Sequence, residues 1–240
     1  MPRAFGLAVA LACVILPAPL AACRLALVLA LDVSSSVDWA EDRLQRQGLV
    51  AALRDPEVQA AFLASPRPVA LHVFQWSGRG DQTLLIPDWA LIEDTEDLER
   101  VASTIEGNAR SRADRPTALG YALGFASLLL EQAPVCDFAT IDVSGDGINN
   151  EGFAPARAYA VFPLDGVTVN GLAIITDEGG LDLVPYYRQE LIRGPGAFVE
   201  IAAGFEDFQR AMKRKLLAEL QVRVIGAAPR DGPPAEGWPG

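Results

Sequence analysis

The sequence predicts one α/β domain with a single doubly wound, mostly parallel sheet, one antiparallel edge strand and helices on both faces. Two features of the chain lead to this prediction. Apolar segments of strand length alternate along the chain with longer segments that have the periodicity of helices. Several strand segments are apolar throughout, which is typical of parallel strands covered on both sides. With 240 residues, 50% of them hydrophobic, the chain can bury a core of this size.

The N-terminus has the layout of a secretory signal peptide, which we assign to residues 1–22. Arg3 precedes an apolar run at 5–16, and small residues ending at Ala22 precede Cys23. Cleavage near Ala22 would make the protein periplasmic or secreted. The same residues fit a lipoprotein motif with an anchor on Cys23, an alternative that we favour less.

The composition limits the function classes. The formal net charge of −11 argues against binding to nucleic acid or to an anionic membrane surface. The apolar run at 5–16 is too short for a good membrane span. One histidine and three cysteines supply too few ligands for a Cys/His zinc site. The mature domain should span 23–226, and the Pro- and Gly-rich end at 227–240 should be a flexible tail.

The elements follow from the pattern of apolar residues and of helix and strand breakers. Strands are expected at 25–31, 69–76, 82–86, 136–143, 167–175 and 197–201. Helices are expected at 39–54, 57–63, 94–105, 117–131, 155–161 and 183–191. A last helix has one apolar face, formed by Phe205, Phe208, Met212, Leu216 and Leu220. The second and third strands form a hairpin, and the other strands alternate with helices.

The first strand ends in a polar loop that suits a metal ion. The apolar run gives way at Asp32 to the pattern D-x-S-x-S, which adds Ser34 and Ser36. Open α/β sheets bind ligands at the carboxyl ends of their strands, where this loop lies. Three oxygen side chains on one turn fit a hard cation such as Mg²⁺. The alternative is a polar loop whose serines cap the next helix.

Two further loops should bring polar side chains to the same edge of the sheet. Thr117 opens an apolar helix, and Asp146 follows a buried strand in the sequence S-G-D-G. Asp142 is the rival acidic residue in this segment. We favour Asp146, because a residue four positions back lies within the strand and more often has a structural role.

These three loops resemble the metal-ion-dependent adhesion site of the von Willebrand factor A (VWA) family. The resemblance spans about Arg24 to Gln221 and is closest to a secreted, bacterial VWA-like subfamily of undefined function. It implies a divalent cation, Mg²⁺ or else Mn²⁺ or Ca²⁺, with one coordination position open to a Glu or Asp carboxylate of a partner protein. The implied direct ligands are Ser34, Ser36 and Thr117, and the ligands acting mainly through bound water are Asp32 and Asp146.

The function expected from this resemblance is a secreted module that binds an acidic partner protein through the cation. The alternative is a periplasmic hydrolase that uses the same cation, and an enzymatic role is the less favoured class. A serine hydrolase would need His72 as its base, but His72 lies in the middle of a strand and no G-x-S-x-G is present. A phosphatase with an aspartate nucleophile would need an acid at the position of Ser34.

A loop just before Thr117 carries three arginines, Arg110, Arg112 and Arg115. In the expected fold they rim the metal site, where they would steer an acidic partner toward the ion. The alternative is a solvated loop without a binding role.

The two cysteines outside the signal peptide, Cys23 and Cys136, should form a disulfide in an exported protein. Counting back from Asp32 and Asp146 along two parallel strands places both cysteines at the amino edge of the sheet. The expected strand order, 3-2-1-4-5-6, makes these strands neighbours about 4.8 Å apart. That spacing falls within the range of Cα–Cα distances of a disulfide, about 4.4–6.8 Å.

Overall fold

The computed structural model describes residues 23–108, 114–176 and 182–225. The predicted signal peptide at 1–22, the predicted tail at 227–240, and Arg110 and Arg112 lie outside the described residues.

Within the described residues, seven strands form one sheet in the order β3-β2-β1-β5-β6-β7, and β4 also pairs with β2. The pairs β1–β2, β1–β5, β5–β6 and β6–β7 are parallel. The strands are β1 (Cys23–Asp32), β2 (Val69–Trp76), β3 (Gln82–Leu84), β4 (Ala90–Ile92), β5 (Cys136–Gly145), β6 (Thr168–Ile174) and β7 (Val199–Ala202). The predicted fold class and the central position of the first strand are therefore confirmed.

Seven α-helices connect or flank these strands in the described residues. They are α1 (Trp39–Arg54), α2 (Pro56–Phe62), α3 (Thr95–Gly107), α4 (Leu119–Glu131), α5 (Pro155–Val161), α6 (Leu183–Tyr186) and α7 (Phe208–Ile225). A π-helical turn, Tyr187–Leu191, continues α6, and a 3₁₀ turn, Phe205–Asp207, leads into α7. Asp38 caps α1 and Asp94 caps α3, each in a capping box that satisfies free N–H groups of the first turn.

The core has two layers, one on each face of the sheet. All ten residues of β1 are buried, because successive side chains of a strand point to opposite faces and both faces are covered. Leu27 and Leu29 pack with α1, α2, α3 and α7 on one face. Val28 and Ala30 pack with α4, α5 and α6 on the other.

The predicted disulfide is present at the amino edge of the sheet. Cys23 and Cys136 are register partners on the parallel strands β1 and β5. Their sulfur atoms are bonded, and their Cα atoms are 4.5 Å apart. The counting argument succeeds because neighbouring parallel strands keep their register over their whole length.

Several elements begin or end one or two residues from the predicted positions, and two differences change the description of the fold. The antiparallel edge consists of two short strands, since β3 pairs with the end of β2 and β4 pairs with its beginning. The helix expected to begin at Thr117 begins at Leu119, because Ala118 has a non-helical backbone and donates its N–H to the carbonyl of Ser77 at 2.8 Å. Thr117 is therefore a loop residue whose hydroxyl is turned toward the site and not a helix cap.

Among the described residues, no helix combines the length and the apolar character needed to cross a membrane.

Candidate metal site

The loop after β1 is folded tightly around the Asp32 carboxylate. Asp32 Oδ1 accepts a hydrogen bond from the backbone N–H of Ser34 at 2.7 Å, and the side chains of both residues are buried. The N–H of Val37 closes the turn on the carbonyl of Ser34 at 3.0 Å. This turn leaves Ser36 exposed at the surface while Ser34 lies beneath it.

Hydroxyl and carboxylate oxygens from the three predicted loops meet above this turn. Ser36 Oγ donates to Asp146 Oδ1 at 2.8 Å, and Thr117 Oγ1 donates to Ser34 Oγ at 3.2 Å. The two serine hydroxyl oxygens are 3.3 Å apart. The structure therefore brings all five residues of the predicted ligand set, which come from three segments of the chain, to one edge of the sheet.

The third loop holds the second one in place through two asparagines that the sequence reading missed. The side-chain Oδ1 of Asn150 accepts a hydrogen bond from the backbone N–H of Thr117 at 2.8 Å. The backbone N–H of Asn150 donates to the Thr117 carbonyl at 3.0 Å. Asn149 Oδ1 accepts the N–H of Gly120 in the first turn of α4, at 3.3 Å. The signal that points to them is their position, one residue after D-G in the sequence D-G-I-N-N.

Gln45 supports the site from below, which the sequence reading also missed. It is buried on α1 and donates from Nε2 to the backbone carbonyl of Asp32 at 2.8 Å. Its Oε1 accepts the hydroxyl of Ser144 on β5 at 3.3 Å. A polar residue on the sheet-facing side of α1 thus ties together the ends of the two strands that carry the carboxylates.

Gly145 leaves room between the Asp32 carboxylate and a buried phenol. A Cβ at position 145 would lie 2.8 Å from Asp32 Oδ2 and 2.8 Å from the hydroxyl of Tyr187. Tyr187 begins the π-helical turn and is fully buried, and among the described residues its hydroxyl has no hydrogen-bond partner. Burial, together with the Asp32 and Asp146 carboxylates, raises the pKa of Tyr187 well above its usual value. The phenol is therefore neutral beneath the site.

Asp142 lies away from this cluster of oxygens. Its carboxylate faces α7 and pairs with Lys215 at 3.0 Å. Asp146, in contrast, lies within hydrogen-bonding distance of Ser36. This difference in placement favours Asp146 over Asp142 as the residue of the third loop that belongs to the site.

The donor set fits a hard divalent cation. It consists of two carboxylates and three hydroxyls, and oxygen ligands are those that Mg²⁺ and Ca²⁺ prefer. With metal–oxygen distances of about 2.1 Å, neighbouring ligands of an octahedral Mg²⁺ lie about 3.0 Å apart. The three hydroxyls implied as direct ligands come near that spacing, since Ser34 Oγ lies 3.2 Å from Thr117 Oγ1 and 3.3 Å from Ser36 Oγ. Among the described residues, no group of three or more His, Cys, Asp or Glu side chains forms an alternative metal site.

Of the three predicted rim arginines, Arg115 is the one within the described residues. Its backbone carbonyl accepts the N–H of Ser35 at 2.7 Å, which places it beside the metal loop. Its side chain is 41% exposed, and its Nε lies 3.3 Å from Asp81 Oδ2. The side chain therefore contacts the β2–β3 turn and is also partly open to solvent.

His72 has the structural position that the sequence predicted. It lies in the middle of β2 and is 2% exposed, with its ring edge-on to Trp89. Burial lowers its pKa.

Comparison with solved structures identifies the fold. The PilB minor pilin from Streptococcus sanguinis is similar over 89% of this chain and 65% of its own, with 13% identity and a TM-score of 0.62. Proximal thread matrix protein 1 from the mussel byssus, solved with a zinc-occupied MIDAS motif, is similar over 84% and 48%, with 15% identity and a TM-score of 0.57. A von Willebrand factor type A protein from Catenulispora acidiphila is similar over 84% and 43%, with 15% identity and a TM-score of 0.55. The chain thus has a VWA-like fold and spans about half to two thirds of the length of these structures.

The chain belongs to the family described as "Protein of unknown function (DUF1194)", which it matches over residues 22–224. No curated protein matches it in sequence.

Proposed function

We propose that the protein is an exported VWA-like module that binds a partner protein through a divalent cation held by Asp32, Ser34, Ser36, Thr117 and Asp146. The observation that carries this proposal is the meeting of five oxygen side chains from three loops at the carboxyl edge of the sheet. Mg²⁺ is the favoured ion, with Mn²⁺ and Ca²⁺ as alternatives. The similarity to pilus and byssus proteins agrees with a role in binding proteins.

The hydrogen bonds explain how these residues would hold the ion. The hydroxyls of Ser36 and Thr117 donate hydrogen bonds to Asp146 and to Ser34, which leaves their oxygen lone pairs available for a cation. If three neutral hydroxyls are the direct ligands, the ion keeps most of its positive charge. A carboxylate from a partner protein would then gain strongly by binding to it.

The surface around Ser36 suits a protein partner. Two large apolar side chains are exposed within three residues of site residues along the chain, Trp39 at 59% on the first turn of α1 and Ile148 at 47% in the third loop. Exposed aromatic and aliphatic side chains next to an ion are typical anchors of a protein interface. We propose that the partner buries these two residues when its carboxylate reaches the ion.

A cleft of about 580 Å³ adjoins Ser36 and is polar. Asp38, Glu41 and Glu206 line it, so the surface is acidic on this side of the ion, while Arg115 lies on the side of the β2–β3 turn. A partner that offers a Glu or Asp to the ion would be repelled by the cleft unless it also carries a basic group there. The charges therefore favour a partner segment that combines an acidic and a basic side chain.

The disulfide agrees with export, since disulfides persist in the periplasm and outside the cell. A Cys23 sulfur that is bonded to Cys136 cannot carry a lipid, so the lipoprotein alternative is the less favoured one. Cleavage near Ala22 remains our expectation.

Metal binding is tested by thermal unfolding in the presence of Mg²⁺, Mn²⁺ or Ca²⁺. An ion that binds the native state stabilises it by mass action, by about 2.7 kcal/mol at a concentration one hundred times its dissociation constant. The melting temperature rises as a result. The double substitution Asp32→Ala with Ser34→Ala should abolish the shift. Ser35→Ala is the matched control, because Ser35 is an exposed neighbour whose backbone N–H, which holds Arg115, is retained. A full shift in the double variant would refute this site.

Partner binding is tested by capture from the native cell envelope, with wild type and the double variant compared in Mg²⁺ and in EDTA. A protein recovered only by wild type with metal supports the binding function. Metal-dependent turnover of a test substrate that Asp32→Ala abolishes would instead support the hydrolase.

A further inference from the structure

A cluster of charged side chains lies in the core, separate from the metal site. Lys215 of α7 is 0% exposed, Asp142 of β5 is 1% exposed, and Glu219 of α7 is 4% exposed. Charged residues are almost never fully buried unless they are paired, and burying each ion costs several kcal/mol even after relaxation. None of the three takes part in the proposed metal binding, so the cluster calls for another explanation.

The three charged groups are in direct contact through Lys215. Lys215 Nζ lies 3.0 Å from Asp142 Oδ1 and 2.9 Å from Glu219 Oε1. Asn170 Nδ2 donates to the same Glu219 oxygen at 2.5 Å, which fixes the glutamate in place. The ring of Phe198 covers the Lys215 ammonium at 4.8 Å, so water is kept from the amine on that side.

Burial also changes the proton distribution in the cluster. It raises the pKa of Asp142 to about 7, although Lys215 opposes the shift. For Lys215, burial lowers the pKa, but the attraction of Asp142 and Glu219 outweighs it and raises the pKa overall. Burial therefore favours the neutral carboxylic acid form of Asp142 beside the Lys215 ammonium.

We propose that Lys215 and Asp142 condense into an intramolecular amide bond that joins β5 to α7, with Glu219 as the proton acceptor. The Lys215 ammonium gives one proton to the Glu219 carboxylate, and the freed amine attacks Cγ of the Asp142 carboxylic acid. A C–N bond forms and the bond from Cγ to the hydroxyl oxygen breaks. The hydroxyl takes a second proton from the nitrogen and leaves as water.

The charge balance favours this reaction in the core. Lys215 and Glu219 start as a buried cation and a buried anion, and the products are a neutral amide, a neutral Glu219 acid and water. The cost of keeping two ions away from solvent disappears. The step needs no oxidant, reductant or cofactor, because condensation only exchanges protons and releases water.

The amide bond would complete a covalent frame through the middle of the fold. The disulfide already joins β1 to β5 at Cys136, and the amide would join β5 to α7 six residues further along, at Asp142. The elements β1, β5 and α7 would then be linked by covalent bonds. This arrangement would resist unfolding by pulling or heat.

The test is the intact mass of the purified full chain under denaturing and reducing conditions. Reduction opens the disulfide, so any remaining deficit comes from the cross-link. We expect wild type to be lighter than its sequence mass by one water molecule. Trypsin should yield a branched peptide that joins the segment containing Asp142 to the one containing Lys215, without cleavage after Lys215.

Glu219→Gln is the matched variant, because glutamine has the same shape and can still pair with Asn170 but cannot accept the proton. We expect this variant to fold and to have its full sequence mass. Folding is checked by a cooperative thermal transition. A folded wild type at full mass, with no branched peptide, would overturn the proposal, and a water loss that persists in Glu219→Gln would overturn the role of Glu219.

Discussion

At the scale of single residues, the glycine at the end of β5 serves the site by being small. Gly145 is not among the glycines with a positive φ, so its backbone conformation is open to other residues. What excludes a side chain is the contact of a Cβ with Asp32 and Tyr187, at 2.8 Å from each. The backbone of β5 can approach the Asp32 carboxylate because position 145 has no side chain.

Gly145→Ala should therefore damage the metal site. We expect overpacking to lower the free energy of unfolding by about 1–3 kcal/mol and to displace the Asp32 carboxylate. The melting-temperature shift caused by Mg²⁺ should shrink at the same time. Gly80→Ala is the matched control, since a Cβ there would have no neighbour within 4 Å. An unchanged metal response in Gly145→Ala would show that Asp32 tolerates the displacement or does not serve the ion.

At the scale of elements, the site is held by contacts between segments that are far apart in the chain. The loop after β1 is tied to the loop before α4 through Ser35 and Arg115, and that loop is tied to the one after β5 through Thr117 and Asn150. The opposite edge of the sheet is fixed by the disulfide between β1 and β5. The two central strands are thus joined at both ends, which keeps the carboxylates Asp32 and Asp146 in register.

The disulfide should contribute strongly to stability. It closes a loop with a sequence separation of 113 residues, and a chain-entropy model gives a stabilisation of about 5 kcal/mol for a disulfide that closes a loop of this length. Cys23→Ala with Cys136→Ala should lower the free energy of unfolding by that order, measured by urea denaturation. Dithiothreitol should destabilise wild type and leave the double variant unchanged. An equal effect of the reductant on both proteins would contradict the assignment.

At the scale of the whole molecule, the charge distribution around the site should govern how a partner approaches. The protein carries a formal net charge of −11, which repels an acidic partner at long range. Arginines in the loop before Thr117 would oppose that repulsion locally. Arg115 is partly exposed there, although it also contacts Asp81.

Replacing Arg110, Arg112 and Arg115 with glutamine should slow association with the partner recovered by capture. The effect should be largest at low salt, because salt screens the attraction between exposed charges. Replacing Arg100, Arg210 and Arg214, which lie on α3 and α7, with glutamine changes the net charge equally and serves as the control. Association rates are measured by stopped flow at several salt concentrations. Equal rates in both variants would show that the loop is solvated and has no role in steering the partner.

The sequence by itself determined the fold class, the central place of β1, the disulfide and the five residues that meet at the site. The fold class and the place of β1 follow from local periodicity, and the disulfide follows from counting along neighbouring parallel strands, which keep their register. The five residues follow from polar loops at the ends of strands, read together with the resemblance to the VWA family. Only the tertiary structure decided that Thr117 lies in the loop before α4. It also decided that Asn150 and Gln45 hold the loops by hydrogen bonds and that Tyr187 lies beneath them. It also decided that Asp142 belongs with Lys215 and Glu219 in the core. Such contacts join residues far apart in the chain, and no local pattern encodes which distant side chain will fill a given space.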